Sequence, residues 1–129
     1  MNTYENNLIL SSERAFLKND EKFVKAFEGC QIGTLFSRGE IVYRVVNKYG
    51  CNPTSIIPSD HCYNRINKGL DFDKVPLLFE YTDDKRYKYL GVDYPYTGKV
   101  FHKPKSSGSE FVVGEWKDGK IVWLNTPRR

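Results

Sequence analysis

The chain has 129 residues, 40% of them hydrophobic and 15% aromatic, which excludes a disordered segment and predicts one domain over residues 1–129 with its own core. Three cysteines without a C-x-x-C pair, no signal peptide and no apolar run of membrane-span length predict a reduced, cytoplasmic protein without membrane contact. The net charge of +4 and the pI of about 8.9 favour an anionic partner, but fall short of the strongly basic character of most nucleic-acid-binding domains.

The N-terminal part of the chain has the apolar spacing of helices over residues 12–28. Its phenylalanines recur on one stripe, which is typical of a face that packs against a core. Asp20 lies within this stripe and interrupts it. We therefore expect a break there, with Asn19 capping a second, shorter helix and Gly29 ending it.

A capping box opens the next predicted helix. Ser37 is followed three residues later by Glu40, so each side chain can satisfy a free backbone N–H of the other residue. Apolar residues then recur at helical spacing as far as Tyr49, and Gly50 is suited to end the helix in the left-handed conformation. This is the first helix of a helix-turn-helix that we predict over residues 37–69.

A second helix is predicted from Ser59 to Lys68, after prolines that keep residues 51–58 extended. Four polar side chains would share one stripe of this helix: His61, Asn64, Arg65 and Lys68. Such a stripe is typical of a recognition helix in the DNA major groove, where Arg suits guanine and Asn suits adenine. The alternative is an ordinary solvated helix face.

The apolar period changes from 3.6 to 2 near residue 76, which predicts antiparallel β-hairpins over residues 76–124. The first hairpin turns at residues 82–85 and would be the wing of a winged helix. The second turns at Asp118-Gly119, a dipeptide that favours tight turns. Helices followed by strands indicate an α+β domain containing a winged-helix-like helix-turn-helix and antiparallel hairpins.

Positive charge is concentrated in two regions of the chain. Residues 37–70 carry five cations against two anions, and residues 99–129 carry seven against three. The other segments have more anions than cations. DNA is therefore expected to contact the helix-turn-helix and, through its phosphates, three lysines of the later strands: Lys99, Lys103 and Lys105.

Tyrosines cluster between residues 81 and 96, at Tyr81, Tyr87, Tyr89, Tyr94 and Tyr96. Strand alternation predicts that about half of them face the core. The others would form a patch for a protein partner or for stacked bases, since tyrosine is favoured in both settings.

Catalytic and metal-binding patterns are weak in this chain, so an enzyme is not favoured and no cofactor or metal is expected. The cysteines and histidines lack zinc-ligand spacing, and consecutive helical residues such as Ser59, Asp60 and His61 do not face one another as a triad requires. A Cys62 thiol paired with His102 stays open, without local support for an activated thiolate. Glu115-Trp116-Lys117 has the local form of a nuclease site, with Glu110 or Asp93 as a conceivable second carboxylate.

The chain also resembles a family of small uncharacterised bacterial and phage domains. The resemblance covers residues 37–120 and is carried by residues 54–69 (TSIIPSDHCYNRINKG), 78–81 (LFEY), 89–91 (YLG), 94–98 (YPYTG) and 113–116 (VGEW). Domains of this kind are found alone or joined to restriction-type and nuclease proteins, which implies a DNA-transaction or defence context but no site residues.

Together these features predict a non-catalytic domain that binds double-stranded DNA, in a restriction, defence or mobile-element setting. The recognition helix would read bases and the lysines would contact phosphates. The alternative is a protein-interaction or inhibitor module, such as an accessory domain of a restriction or defence system, that uses the tyrosine patch.

Overall fold

The computed structural model of the protein describes residues 19–67, 72, 74–103 and 109–124. Within these residues it has two α-helices, α1 (Asn19–Ala26) and α2 (Arg38–Tyr49), and two short 3-10 helices, Pro53–Ser55 and Pro58–His61. The strands are β1 (Leu35–Phe36), β2 (Phe79–Tyr81), β3 (Tyr87–Tyr89), β4 (Gly98–His102), β5 (Phe111–Lys117) and β6 (Lys120–Trp123). Residues 12–18 of the predicted N-terminal helices lie outside the described part.

The strands form two antiparallel sheets of three strands each. The first has the order β1-β3-β2 and the second the order β4-β5-β6. Both predicted hairpins are present: the first turns at residues 82–86, one residue longer than the predicted 82–85, and the second turns at Asp118-Gly119. The predicted α+β class is therefore confirmed. Of the helices in the described part of the chain, none is long and apolar enough to cross a membrane.

Helix α2 begins and ends as its sequence predicts. The Ser37 hydroxyl accepts a hydrogen bond from the Glu40 N–H at 3.1 Å, and the Glu40 carboxylate accepts one from the Ser37 N–H at 2.7 Å. Gly50 follows the helix with φ 69°, and its N–H donates to the Val46 carbonyl. Because these signals involve neighbouring residues alone, they operate independently of the rest of the fold.

The predicted recognition helix is wrong for residues 59–67. A 3-10 turn covers Pro58–His61, and the chain then becomes extended. The Tyr63 N–H donates to the Phe79 carbonyl of the first sheet at 2.8 Å, and the Ile66 N–H donates to the Phe101 carbonyl of the second sheet at 3.0 Å. These N–H groups cannot also make the i to i−4 bonds of an α-helix. We call residues 62–67 the bridging segment, because they pair with both sheets.

The main core lies between the two helices and the first sheet. Phe27 and Phe79 are fully buried and meet edge to face, with ring centroids 5.2 Å apart. Ile41 and Val45 bring the inner face of α2 against them. This packing of aromatic rings at edge-to-face geometry adds to the free energy gained from burying their area.

His61 belongs to this core rather than to a DNA-binding surface. Its ring stacks on Phe23 of α1 at 4.1 Å between centroids, and Nδ1 lies 2.8 Å from the Pro76 carbonyl oxygen. Burial lowers the pKa of His61 below its ordinary value of 6.5, although the contact with Pro76 and the charges of Asp20 and Asp60 act in the opposite direction.

The lowered pKa of His61 predicts a loss of stability in mild acid. The unfolded chain binds the proton more tightly than the folded chain, so this contribution is intact above 6.5 and is lost as the pH falls below that value. We expect the midpoint of urea unfolding to fall between about pH 7.5 and about pH 5.5, and to fall less in His61→Gln, whose amide can still donate to Pro76.

His102→Gln is the matched control, because the chain has two histidines. It makes the same side-chain change at the other histidine, so it controls for the substitution itself. An equal pH dependence in wild type and His61→Gln would contradict the prediction.

Candidate binding groove

Asn64, predicted to contact bases, is used inside the fold. The residue is 8% exposed. Its Nδ2 donates to the Tyr81 carbonyl and its Oδ1 accepts from the Tyr81 N–H, each at 2.9 Å. The side-chain amide thus bonds the edge strand β2 as a neighbouring strand would.

Arg65 is enclosed in a similar way. Its guanidinium lies over the rings of Tyr81 and Phe101, at 5.1 and 5.2 Å from their centroids. The Nη1 atom lies 3.1 Å from a Glu110 carboxylate oxygen, an ion pair without the geometry of a hydrogen bond. Two aromatic rings and a carboxylate therefore hold this half-buried cation against the protein.

Of the lysines predicted to contact DNA, two are exposed and two lie outside the part of the chain that the structure describes. Lys99 and Lys103 are exposed, on β4 and just after it. Lys68 and Lys105 lie outside the described residues. With His61, Asn64 and Arg65 engaged internally, the structure does not bring the predicted DNA-contacting residues together on one open face of its described part.

The five tyrosines do not form one surface patch. Tyr87 and Tyr96 are buried, and burial raises the pKa of Tyr87 to about 12. Tyr81 and Tyr89 are half-buried against the main core. Tyr94 is the tyrosine of this group that lines an open groove.

This groove has a volume of about 590 Å³ and lies beside the second, smaller core. Its walls come from residues 75–77, from the turn at residues 92–95 and from the β5–β6 hairpin. Four aromatic residues line it: Tyr63, Phe72, Tyr94 and Trp116. Two hollows of similar volume along α2 have at most two aromatic residues in their walls. The groove is therefore the most aromatic of these concave surfaces.

Tyr63 fixes the floor of the groove through its backbone carbonyl and its side-chain hydroxyl. Its carbonyl accepts a hydrogen bond from the Trp116 indole N–H at 2.8 Å. Its hydroxyl donates to the Gly91 carbonyl at 2.6 Å and accepts from the Tyr94 N–H at 3.0 Å. Tyr63 itself belongs to the bridging segment, so the groove is attached to the element that joins the two sheets.

The rim of the groove is held by contacts between two turns. The Asp118 N–H donates to the Thr97 hydroxyl at 3.0 Å, and the Gly119 N–H donates to the Tyr96 carbonyl at 2.9 Å. A Cβ at Gly119 would lie 3.3 Å from the Pro95 Cα, so the turns approach closely. These contacts make the groove largely preformed, as small-molecule and peptide sites commonly are.

Three charged side chains stand at the rim: Asp93, Asp118 and Lys120. All three are exposed. Burial raises the pKa of Tyr63, and the nearby charge of Asp93 raises it further. The Asp93 charge thus acts on the hydroxyl at the groove floor.

The described residues give little support to the catalytic alternatives. These residues contain no group of three or more His, Cys, Asp or Glu side chains that could hold a metal ion. Burial raises the pKa of the Cys62 thiol well above its ordinary value, which opposes an activated thiolate. Glu115 alternates with Trp116 along β5 and so points away from the groove, while Glu110 pairs with Arg65.

Comparison with known proteins places this domain in a family. The family model described as a domain of unknown function, DUF7225, matches residues 18–123. The chain belongs to this family. It is 49% identical over 89 residues to the uncharacterized protein YnaC of Bacillus subtilis (strain 168), a match that covers 69% of this chain and 33% of YnaC. The DUF7225 chain thus spans about a third of the length of YnaC. No solved structure matches the chain.

Sequence reasoning missed the groove of this DUF7225 domain, because its walls are distant along the chain. Tyr63 and Trp116, for example, are 53 residues apart. Local signals were present in the aromatic and proline content of Tyr94-Pro95-Tyr96 and in the tryptophan next to the Asp118-Gly119 turn. What they lacked was any indication that the two turns meet.

The internal role of Asn64 predicts a large loss of stability in Asn64→Ala. The variant leaves the Tyr81 N–H and carbonyl without their partners, which should lower the free energy of unfolding by about 2–4 kcal/mol. Urea unfolding followed by tryptophan fluorescence measures this change.

Asn47→Ala is the control, because Asn47 is exposed on α2 and alanine favours helices. It should alter the free energy by about 0.5 kcal/mol or less. If Asn64→Ala were as mild as Asn47→Ala, the contact with Tyr81 would not support the fold.

Proposed function

We propose that this domain is a non-catalytic protein-interaction module that binds a segment of a partner protein in the groove lined by Tyr94 and Trp116. The observation that carries the proposal is the preformed aromatic groove, whose floor and rim are held by hydrogen bonds before any ligand arrives. Preorganisation of this kind reduces the ordering cost of binding.

The composition of the groove supports a protein partner. Tyrosine and tryptophan are enriched among the residues that contribute most to protein–protein binding, and prolines at the rim keep the surface rigid. A volume of about 590 Å³ suits a few side chains of a bound segment rather than a whole domain surface.

YnaC, about twice as long as this chain, gives the module a setting. In YnaC the matching region is accompanied by other sequence, so a domain of this family can act as one part of a larger protein. The resemblance to domains joined to restriction-type proteins makes a restriction or defence protein the partner class to test first.

Selection from a random peptide display library tests the proposal. We expect peptides enriched on the wild-type protein to lose binding, roughly tenfold or more, in Tyr94→Ala, because this change removes one aromatic wall. Tyr43→Ala is the matched control: Tyr43 is 69% exposed on α2 and does not line the groove. Peptides that bind Tyr94→Ala as well as wild type would contradict the proposal.

DNA binding is the second candidate, and the connectivity of the first sheet favours it. The chain order is α1, β1, α2, β2 and β3, and the sheet order is β1-β3-β2. This connectivity agrees with a winged helix in which the 3-10 turns stand at the place of the recognition helix. In this arrangement Lys99 and Lys103 would supply phosphate contacts, whereas base reading by Asn64 and Arg65 would require them to leave their present partners.

A gel-shift titration with random duplex DNA at several salt concentrations tests this second candidate. Phosphate binding predicts affinity that falls with salt, and Lys99→Ala with Lys103→Ala should reduce the slope of log affinity against log salt by about two. Lys48→Ala on α2 should leave the slope unchanged. Salt-independent binding, or an unchanged slope in the double variant, would remove these lysines from the site.

A further inference from the structure

The charges around the groove differ from those of the chain as a whole. The chain has a net charge of +4, but the rim has two carboxylates, Asp93 and Asp118, against the one ammonium of Lys120. Neither carboxylate forms an ion pair with another described residue. Their negative charge is therefore available to a ligand.

The two carboxylates come from turns that touch each other. Asp118 directly precedes Gly119, which approaches Pro95 closely, and Asp93 lies two residues before Pro95. Both have positive φ, 58° for Asp93 and 49° for Asp118, a conformation that Asp and Asn tolerate. The backbone of each turn thus presents an acid beside the aromatic walls.

Aromatic faces next to carboxylates form an environment for an organic cation. A guanidinium or ammonium group is attracted to the faces of tryptophan and tyrosine rings, and a nearby carboxylate strengthens its binding. The protein already contains one such arrangement, in which Arg65 lies over Tyr81 and Phe101 and pairs with Glu110. The groove has similar components, namely the rings of Tyr94 and Trp116 and the carboxylates of Asp93 and Asp118.

We propose that the groove binds an arginine or lysine side chain of a partner segment, held between the Tyr94 and Trp116 rings and the carboxylates of Asp93 and Asp118. This inference rests on the proposed function and specifies its ligand. The same carboxylates repel phosphate, so they disfavour a nucleic-acid strand in the groove. Lys120, at one side of the rim, leaves the two acids in excess.

Short blocked peptides test the chemistry directly. The probes are acetyl-Ala-Xaa-Ala-amide with Xaa as arginine, lysine, citrulline or norleucine, and adenosine monophosphate serves as an anionic aromatic probe. The readout is the NMR resonance of the Trp116 indole N–H, since Trp116 lines the groove and the second tryptophan, Trp123, does not. We expect the arginine and lysine peptides to shift this resonance at millimolar concentration. The citrulline and norleucine peptides should have dissociation constants at least about fivefold higher.

Neutral variants separate charge from shape. Asp93→Asn and Asp118→Asn keep side-chain size and tolerate positive φ, so the turns should stay folded. Their combination should weaken the arginine peptide about fivefold or more and leave the citrulline peptide unchanged. Asp83→Asn, in the exposed β2–β3 turn, makes the same charge change away from the groove and should leave both peptides unchanged.

Three results would overturn the inference: no shift with any cationic peptide, equal affinity for arginine and citrulline, or tighter binding of adenosine monophosphate than of the arginine peptide. These results are distinguishable from failure of the proposed function. Library peptides that require Tyr94 but carry no cation would uphold the groove as a protein-binding site and reject its cationic ligand. Arginine binding without any Tyr94-dependent library peptide would uphold the cation site and reject the groove as a protein-binding site.

Discussion

The fold depends on the hydrogen bonds of the bridging segment, residues 62–67, to both sheets. Its backbone pairs with Phe79 on one side and with Phe101 on the other, and the Asn64 side chain bonds the Tyr81 backbone. Each of these hydrogen bonds contributes little to the free energy of unfolding, on the order of 1 kcal/mol, but leaving a buried N–H or carbonyl unpaired lowers it by more. Without this segment the two sheets would lose their main backbone connection within the described residues.

The same constraint explains why the polar residues of the predicted recognition helix do not form a surface stripe. In a helix, residues 61, 64 and 65 share a face, and their amide, imidazole and guanidinium groups suggest an outward role. In the structure His61 ends the 3-10 turn and is buried, with the Pro76 carbonyl as its partner. Asn64 and Arg65 lie in the extended bridging segment, where Asn64 is buried and bonds Tyr81, and Arg65 is half-buried and pairs with Glu110. The polar groups of these side chains therefore have partners within the protein.

Sequence was a good guide where the physical cause is local. The capping box at Ser37, the terminal Gly50 and the turn at Asp118-Gly119 each depend on residues within a few positions, and each is present in the structure. It was a poor guide where pairing is distant: Cys62 with Phe79, and Arg65 with Phe101. The helical period of residues 59–68 cannot reveal that the backbone N–H groups of this segment bond to later strands instead of forming a helix. The groove was hidden for the same reason.

Tyr63 links the stability of the protein to its candidate site. Its N–H pairs with the first sheet, its carbonyl accepts from Trp116, and its ring stacks on Tyr96, whose hydroxyl donates to Glu80 on β2. A change at Tyr63 or Trp116 would therefore disturb folding and binding together. Asp93 and Asp118 line the same groove with exposed side chains that make no ion pair with another described residue, so they can be altered with less effect on the core. A rigid floor with adaptable side chains at its edge lets one scaffold vary its ligand without rebuilding its fold.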